Sequence, residues 1–164
     1  MNAALTAIGS HSPQPTLLDE ENRVITQAME ILDKRLFKNA QAFTNQLDVE
    51  HFLKLQFVEK QHEVFAVIFL NNRHQIISFD KMFNGSINSC TIHPREVVKR
   101  ALSHNAAAAI LCHNHPSGCT APSNDDLKIT EALQAALKMV DVKILDHFIV
   151  GQGKSYSFAA HGLM

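Results

Sequence analysis

Tryptophan is absent from this chain and tyrosine occurs once, so the ten phenylalanines supply nearly all of its aromatic packing. Cysteine is scarce. Cys90, Cys112 and Cys119 form an odd set with no C-x-x-C spacing, which argues against a disulfide framework and for a reducing compartment. No apolar run approaches the roughly 20 residues that span a bilayer. Met1 to Leu18 lacks a basic segment followed by an apolar one, so no secretory leader is expected. An excess of charge is lacking too: the net charge is −1 and the pI about 6.8, whereas nucleic-acid binders usually show a basic patch or a high pI. Nucleic acid is thus a partner that the charge does not support, although a local patch is compatible with it. The expectation is a cytoplasmic, soluble protein with no membrane partner.

What is present suits one domain of ordinary size: 164 residues, 46% of them hydrophobic. Met1 to Leu18 holds Ser10, Ser12, Pro13 and Pro15 without apolar periodicity and reads as a mobile tail. Asp19 to Phe37 reads as an amphipathic helix, with Val24, Ala28, Ile31, Leu32 and Leu36 at helical spacing. A second helix is predicted over Leu47 to Val58, with Val49, Phe52, Leu53 and Phe57 on one side. Val64 to Leu70 is a continuous apolar run of strand length, as in a strand buried on both faces. A turn at Asn71-Asn72, a strand over Gln75 to Phe79, a turn at Asn84-Gly85 and a strand over Ser86 to Ile92 follow. Pro94 opens a helix to about His104, with Val97, Val98, Ala101 and Leu102 inward. Ala106 to Cys112 reads as a short strand, parallel to Ser86–Ile92 if the three form a βαβ unit. After a polar loop, His113 to Pro122, come a helix over Asn124 to Val140, a buried strand over Val142 to Val150 and a turn at Gly151 to Gly153. The fold class is α/β: a mixed sheet flanked by helices, with a tail (1–18), a helical N-terminal extension (19–46) and a main domain (47–164).

Ten histidines is a high count for this length, and the position of two of them matters. His113 and His115 lie at the carboxyl end of a predicted buried strand, where α/β sheets commonly place ligands. Residues two apart on a strand point the same way, so both imidazoles can aim at one point before Pro116 and Gly118 turn the chain. Eleven residues beyond His115 comes Asp126, in the first turn of the next helix. Two imidazoles and a carboxylate are a normal catalytic zinc set, with a fourth position for water. Each piece also has a plainer reading. A His-x-His pair is often only polar loop, and Ser123-Asn124-Asp125-Asp126 is a capping box in which the acids suit the helix dipole. Hydrolysis further requires a base for the water proton. Glu63, just before the Val64–Leu70 strand, is the candidate, against its reading as a solvated strand end; Glu50 and Glu59 are weaker rivals.

These residues resemble a known family. His113-x-His115-Pro116-x-Gly118 followed by Ser123-x-x-Asp126 resembles the JAMM metalloprotease motif of the MPN domain. The wider context, Asn84-Gly85-Ser86, His93-Pro94-Arg95-Glu96, His113 to Gly118 and Leu145 to Gly151, is more similar still to the bacterial RadC family, over about Leu47 to Met164. The resemblance implies the layered architecture shared with cytidine deaminases and one Zn2+ per chain held by His113, His115 and Asp126. It also implies that Ser123 helps to hold the oxyanion and that Glu63 is the catalytic base. Longer RadC proteins resemble DNA-repair factors partly through an N-terminal helix-hairpin-helix region. The stretch before the domain here is too short for that region and lacks its Gly-rich hairpins, which speaks against inheriting a DNA role.

The leading expectation is therefore a zinc metalloprotease or related metallohydrolase acting on an amide bond, peptide or isopeptide, in a peptide or protein substrate. The alternatives are a metal-dependent nuclease or repair accessory, and a non-catalytic interaction module. His147, beside Asp146, reads either as a partner that orients a metal ligand or as a hydrogen-bonded core histidine. Arg95 and Glu96 receive no chemistry. Cys112 alternates with His113 and should face the core, and Cys119 reads as a loop thiol or a further metal ligand.

Overall fold

The structure is a computed structural model that describes residues 17–34, 43, 45–58, 61–85 and 92–164, without the side chains of 32 and 33. Its elements are α1 (Leu17–Asp33), α2 (Gln46–Phe57), β1 (Val64–Leu70), β2 (Ile76–Asn84), α3 (Pro94–Ser103), β3 (Ala108–Asn114), α4 (Asn124–Lys138), β4 (Lys143–Val150) and β5 (Ser155–Ser157), followed by a 3-10 turn at Ala159–His161. The strands form one mixed sheet in the order β2-β1-β3-β4-β5. Only β3 and β4 are parallel; the pairs β1–β2, β1–β3 and β4–β5 are antiparallel.

Strand periodicity divides the core in two. Val64, Ala66, Ile68 and Leu70 of β1 pack with Val49, Phe52, Leu53 and Phe57 of α2. The intervening Phe65, Val67 and Phe69 pack with Val97 and Ala101 of α3 and Leu133 and Leu137 of α4. All seven residues of β1 are buried, which explains its unbroken apolar run: it has helices on both faces and strands on both edges. The result is three layers, α/β/α. Among the described residues, no helix is long and apolar enough to cross a membrane.

Several expectations require correction. Ala106–Cys112 was expected to pair in parallel with Ser86–Ile92, but both edges of β3 are taken, by β1 and β4. Residues 86–91, Cys90 included, lie outside the described residues, as does most of the 1–18 tail. The crossover through α3 instead starts from β2 and passes over β1, and the parallel neighbours are joined through α4. β2 runs to Asn84 rather than ending at Phe79, because irregularities at Phe65/Ala66 and Phe69/Leu70 let it stay paired with β1. β3 starts two residues later than expected and ends two residues later, so His113 belongs to the strand rather than to the loop. On α1, Val24 and Ile31 are 63% and 44% exposed. On α3, Leu102 is 57% exposed, because one helical step past the fully buried Ala101 turns about 100° away from the sheet.

A buried carboxylate ties the edge strand to α3. Asp80 of β2 accepts hydrogen bonds from Ser78, from Arg100 Nε at 2.6 Å and from His104 Nε2 at 2.9 Å. Burial alone raises its pKa, but these donors outweigh burial and hold it below the usual carboxylate range. A pKa depressed in the folded state contributes stability at pH values above the unfolded value, lost as the pH falls through the folded one. Asp80→Asn should therefore cost about 2 kcal/mol at pH 7 and show a shallower loss of stability than wild type in acid below about pH 4, read by urea titration.

Candidate metal centre

The carboxyl ends of the parallel strands β3 and β4 lie side by side, and the site stands there. His113 is the sixth residue of β3 and is 1% exposed. Beyond the strand, His115 N–H donates to Val150 O of β4 at 2.9 Å, which holds His115 in the sheet's register. Asn114, between the two histidines, points the other way: its Oδ1 accepts from Val64 N–H at 2.8 Å and its Nδ2 donates to His62 O at 3.0 Å. The chain then turns as Gly118 N–H donates to His115 O at 2.9 Å, with Gly118 at φ 80°, a conformation that favours glycine.

Asp126 comes from the first turn of α4. Ser123 caps this helix reciprocally: its Oγ accepts from Asp126 N–H at 3.1 Å, and its own N–H donates to Asp126 Oδ2 at 2.8 Å. The Ser123 hydroxyl adds a second donor to Oδ2 at 2.6 Å. With Oδ2 held twice, Oδ1 faces His113 Nε2 at 3.2 Å. The capping box and the acidic site group are thus the same residues doing both things. Burial alone raises the Asp126 pKa, but His113 and the Ser123 donors outweigh it and hold the carboxyl far below its ordinary range, so it is a carboxylate at neutral pH.

His113 Nε2 and His115 Nε2 are 3.0 Å apart, and His115 Nε2 lies 3.9 Å from Asp126 Oδ2. One ligand atom from each of His113, His115 and Asp126 falls within 4.8 Å of the others. Two ligands on a tetrahedral zinc at about 2.0–2.1 Å would stand roughly 3.3 Å apart, so this donor set fits such an ion. The tautomer of His115 fits as well. Its Nδ1 lies 2.6 Å from the Cys119 carbonyl; a carbonyl only accepts, so Nδ1 carries the hydrogen and Nε2 offers its lone pair.

Residues 43–163 match the family described as RadC-like JAB domain. The chain belongs to the RadC family. A UPF0758 protein of Pseudomonas syringae pv. tomato is 53% identical over 123 residues, 75% of this chain and 55% of its own length. The UPF0758 proteins YkfG and YfjY of Escherichia coli (strain K12) are each 46% identical, over 145 and 150 residues, covering 88% and 92% of this chain and 92% and 94% of themselves. The chain thus spans about half the length of some curated relatives and nearly all of others. None of these names carries an activity.

The other polar residues of this RadC chain surround the site at varying distances from its ligands. Glu63 is half-buried just before β1 and its carbonyl accepts from Gly85 N–H at 2.8 Å. It stands two residues before Phe65, whose register partner is His113. Glu63 is not part of the ligand-atom cluster. Glu50 lies on α2 and pairs with Lys54 and Gln46, and Glu59 lies outside the described residues. Cys119 is exposed, and its carbonyl rather than its thiol serves the site. The Cys112 thiol is fully buried, donates to Ala66 O and is pushed far above its usual pKa by burial. Arg95 and Glu96 pair with each other at the surface. Asp146 accepts from Ser157, from Ala159 N–H and from His147 N–H, fixing the C-terminal turn.

His147 does reach the site: its Nε2 lies 2.9 Å from His113 Nδ1. Burial holds it well below the ordinary histidine pKa, His113 and His115 add to that, and Asp126 opposes it. The residue that sequence reading missed is Thr130, 2% exposed, whose hydroxyl lies 2.7 Å from His147 Nδ1. It shares a face of α4 with Asp126, Leu133 and Leu137, but a polar residue on that face carries no periodic signal of its own.

Gly151, read from the sequence as a turn residue, also bears on the site. A Cβ at this position would collide with Gly118 O and stand 2.7 Å from Thr120 Cγ2. The loop it presses on carries the Cys119 carbonyl that orients His115. Gly151→Ala should therefore displace that loop and weaken metal uptake about tenfold or more, the scale of losing a ligand's orienting partner. Titration against a chromophoric chelator reads this directly.

Proposed function

We propose that this chain is a zinc-dependent hydrolase that cleaves an amide bond, peptide or isopeptide, in a peptide or protein substrate. The observation that carries this reading is the convergence of His113 Nε2, His115 Nε2 and an Asp126 oxygen within 4.8 Å, in the motif that the JAMM resemblance reads as a zinc site. His113, His115 and Asp126 would hold the ion. When bound there, zinc supplies a Lewis acid and a water of lowered pKa.

The rest of the work falls to the chain's own groups. Glu63, two residues before the register partner of His113, takes the proton of the attacking water and returns it to the leaving amine. Ser123 donates its hydroxyl to the developing oxyanion. In the structure that hydroxyl rests on Asp126 Oδ2, which Ser123 N–H also holds. Turning the hydroxyl toward a substrate therefore leaves the carboxylate in place.

The test is elemental analysis of the purified protein, followed by incubation with a peptide library, a lysine-linked isopeptide conjugate and double-stranded DNA in parallel. About one zinc per chain and cleavage of an amide substrate, abolished by chelation, are expected. Zinc with cleavage of DNA alone, or with no turnover of any amide, overturns the reading.

A further inference from the structure

His113 is the one proposed ligand whose second nitrogen meets another imidazole, and an imidazole can either donate or accept. The direction of that contact decides which His113 nitrogen keeps its hydrogen when a metal binds. The answer lies two residues further along. Thr130 Oγ stands 2.6 Å from Asp126 O, the carbonyl one turn earlier on α4. A carbonyl only accepts, so the Thr130 hydroxyl hydrogen points at it. At 2.7 Å from His147 Nδ1 the same oxygen has only lone pairs left to offer. His147 Nδ1 therefore carries a hydrogen and donates it.

His147 is fully buried, packed against Phe158 with ring centres 4.6 Å apart and against Phe65 at 5.8 Å. Among the described residues, its ring nitrogens meet His113 and Thr130 and no carboxylate. A second ring hydrogen would make a charge in an apolar setting, which burial disfavours. His147 Nε2 is thus an acceptor, and His113 Nδ1, 2.9 Å away, must donate to it. With Nδ1 holding its hydrogen against His147, Nε2, which faces Asp126 Oδ1 at 3.2 Å and His115 Nε2 at 3.0 Å, is the nitrogen that gives up its hydrogen when a metal binds.

We propose that Thr130 and His147 are positioning residues that lock His113 in its metal-binding tautomer, with the helix carbonyl of Asp126 setting the direction of the whole chain of hydrogen bonds. This inference rests on the metal reading above and adds two residues to it. It also couples two ligands: the carbonyl that orients the chain belongs to Asp126, whose side chain is itself a proposed ligand. A rotation of the first turn of α4 would disturb both at once.

The test uses the whole chain. Long-range 15N NMR on metal-free wild type at about pH 8, above the usual histidine range, should show His113 and His147 each protonated at Nδ1. Thr130→Val keeps the shape and removes the hydroxyl; its zinc dissociation constant, read by chelator competition, should rise about ten- to a hundredfold. Thr130→Ser should restore affinity, and melting of the metal-free proteins separates a fold defect from a tautomer defect. A folded Thr130→Val that binds zinc as tightly as wild type overturns the proposal, as does a wild-type His113 with no hydrogen on Nδ1. If wild type takes up no zinc, the functional reading fails while the spectrum still decides the tautomer. If wild type binds zinc and cleaves no amide, the hydrolase reading fails and this one stands.

Discussion

Glu63→Gln should keep about one zinc per chain and lose at least roughly a hundredfold in the rate of amide hydrolysis. The amide keeps the size and polarity of the carboxylate and removes its basicity. Glu63 is absent from the cluster of ligand atoms, so the ion should not depend on it. The antiparallel pairing of β1 with β3 nevertheless sets Phe65, two residues on, opposite His113. A base must reach the proton without competing for the metal, and the strand end next to the ligand strand meets both conditions. Zinc content and rate, measured on the same preparation, decide the role. Loss of zinc would make Glu63 a ligand. Retention of zinc with full activity would pass the role of base to another group, Glu59 first.

His115→Ala should lose metal and activity together, because two protein ligands hold zinc poorly. Of the two histidines, His115 gives the cleaner experiment. Its side chain is 19% exposed against 2% for His113, and His113 packs on Phe65 at 6.2 Å and on His147. Removing His113 therefore opens a hole in the core as well as a gap in the site. The effect on wild type can be sized. An ion that binds only the folded chain, at a thousand times its dissociation constant, stabilises it by about 4 kcal/mol. For a chain of this length that raises the melting temperature by roughly 8–16 °C. Wild type should show such a rise on adding zinc and His115→Ala should show almost none. An equal rise in both would remove His115 from the ligand set.

The sequence alone carried the site's vocabulary. His113 and His115 share a strand face because strand side chains alternate, and that holds whatever the neighbours are. Asp126 sits in the first turn of α4 because Ser123 and Asp126 satisfy each other's backbone N–H groups, a local arrangement written in four consecutive residues. Val64–Leu70 announced a strand covered on both faces by its unbroken apolar run, and α2 showed its buried side at Val49, Phe52, Leu53 and Phe57. Such features are settled within a few residues along the chain, by dihedral geometry and periodicity, so they can be read without knowing what packs against them.

Tertiary structure decided everything that depends on which strands are neighbours. Nothing local says that β3 lies between β1 and β4 rather than beside residues 86–92; that follows from which edges are filled once the two apolar faces are covered. The same pairing sets Phe65 opposite His113, and so brings the start of β1 next to the ligand strand. It also brings β4 beside β3 so that His147 meets His113, with Thr130 arriving from α4. Thr130 is a polar residue on an otherwise apolar helix face, and periodicity alone passes over it. Its hydroxyl gains meaning only where the sheet, the helix and two imidazoles meet, because the direction of a hydrogen-bond chain is a property of all its members together.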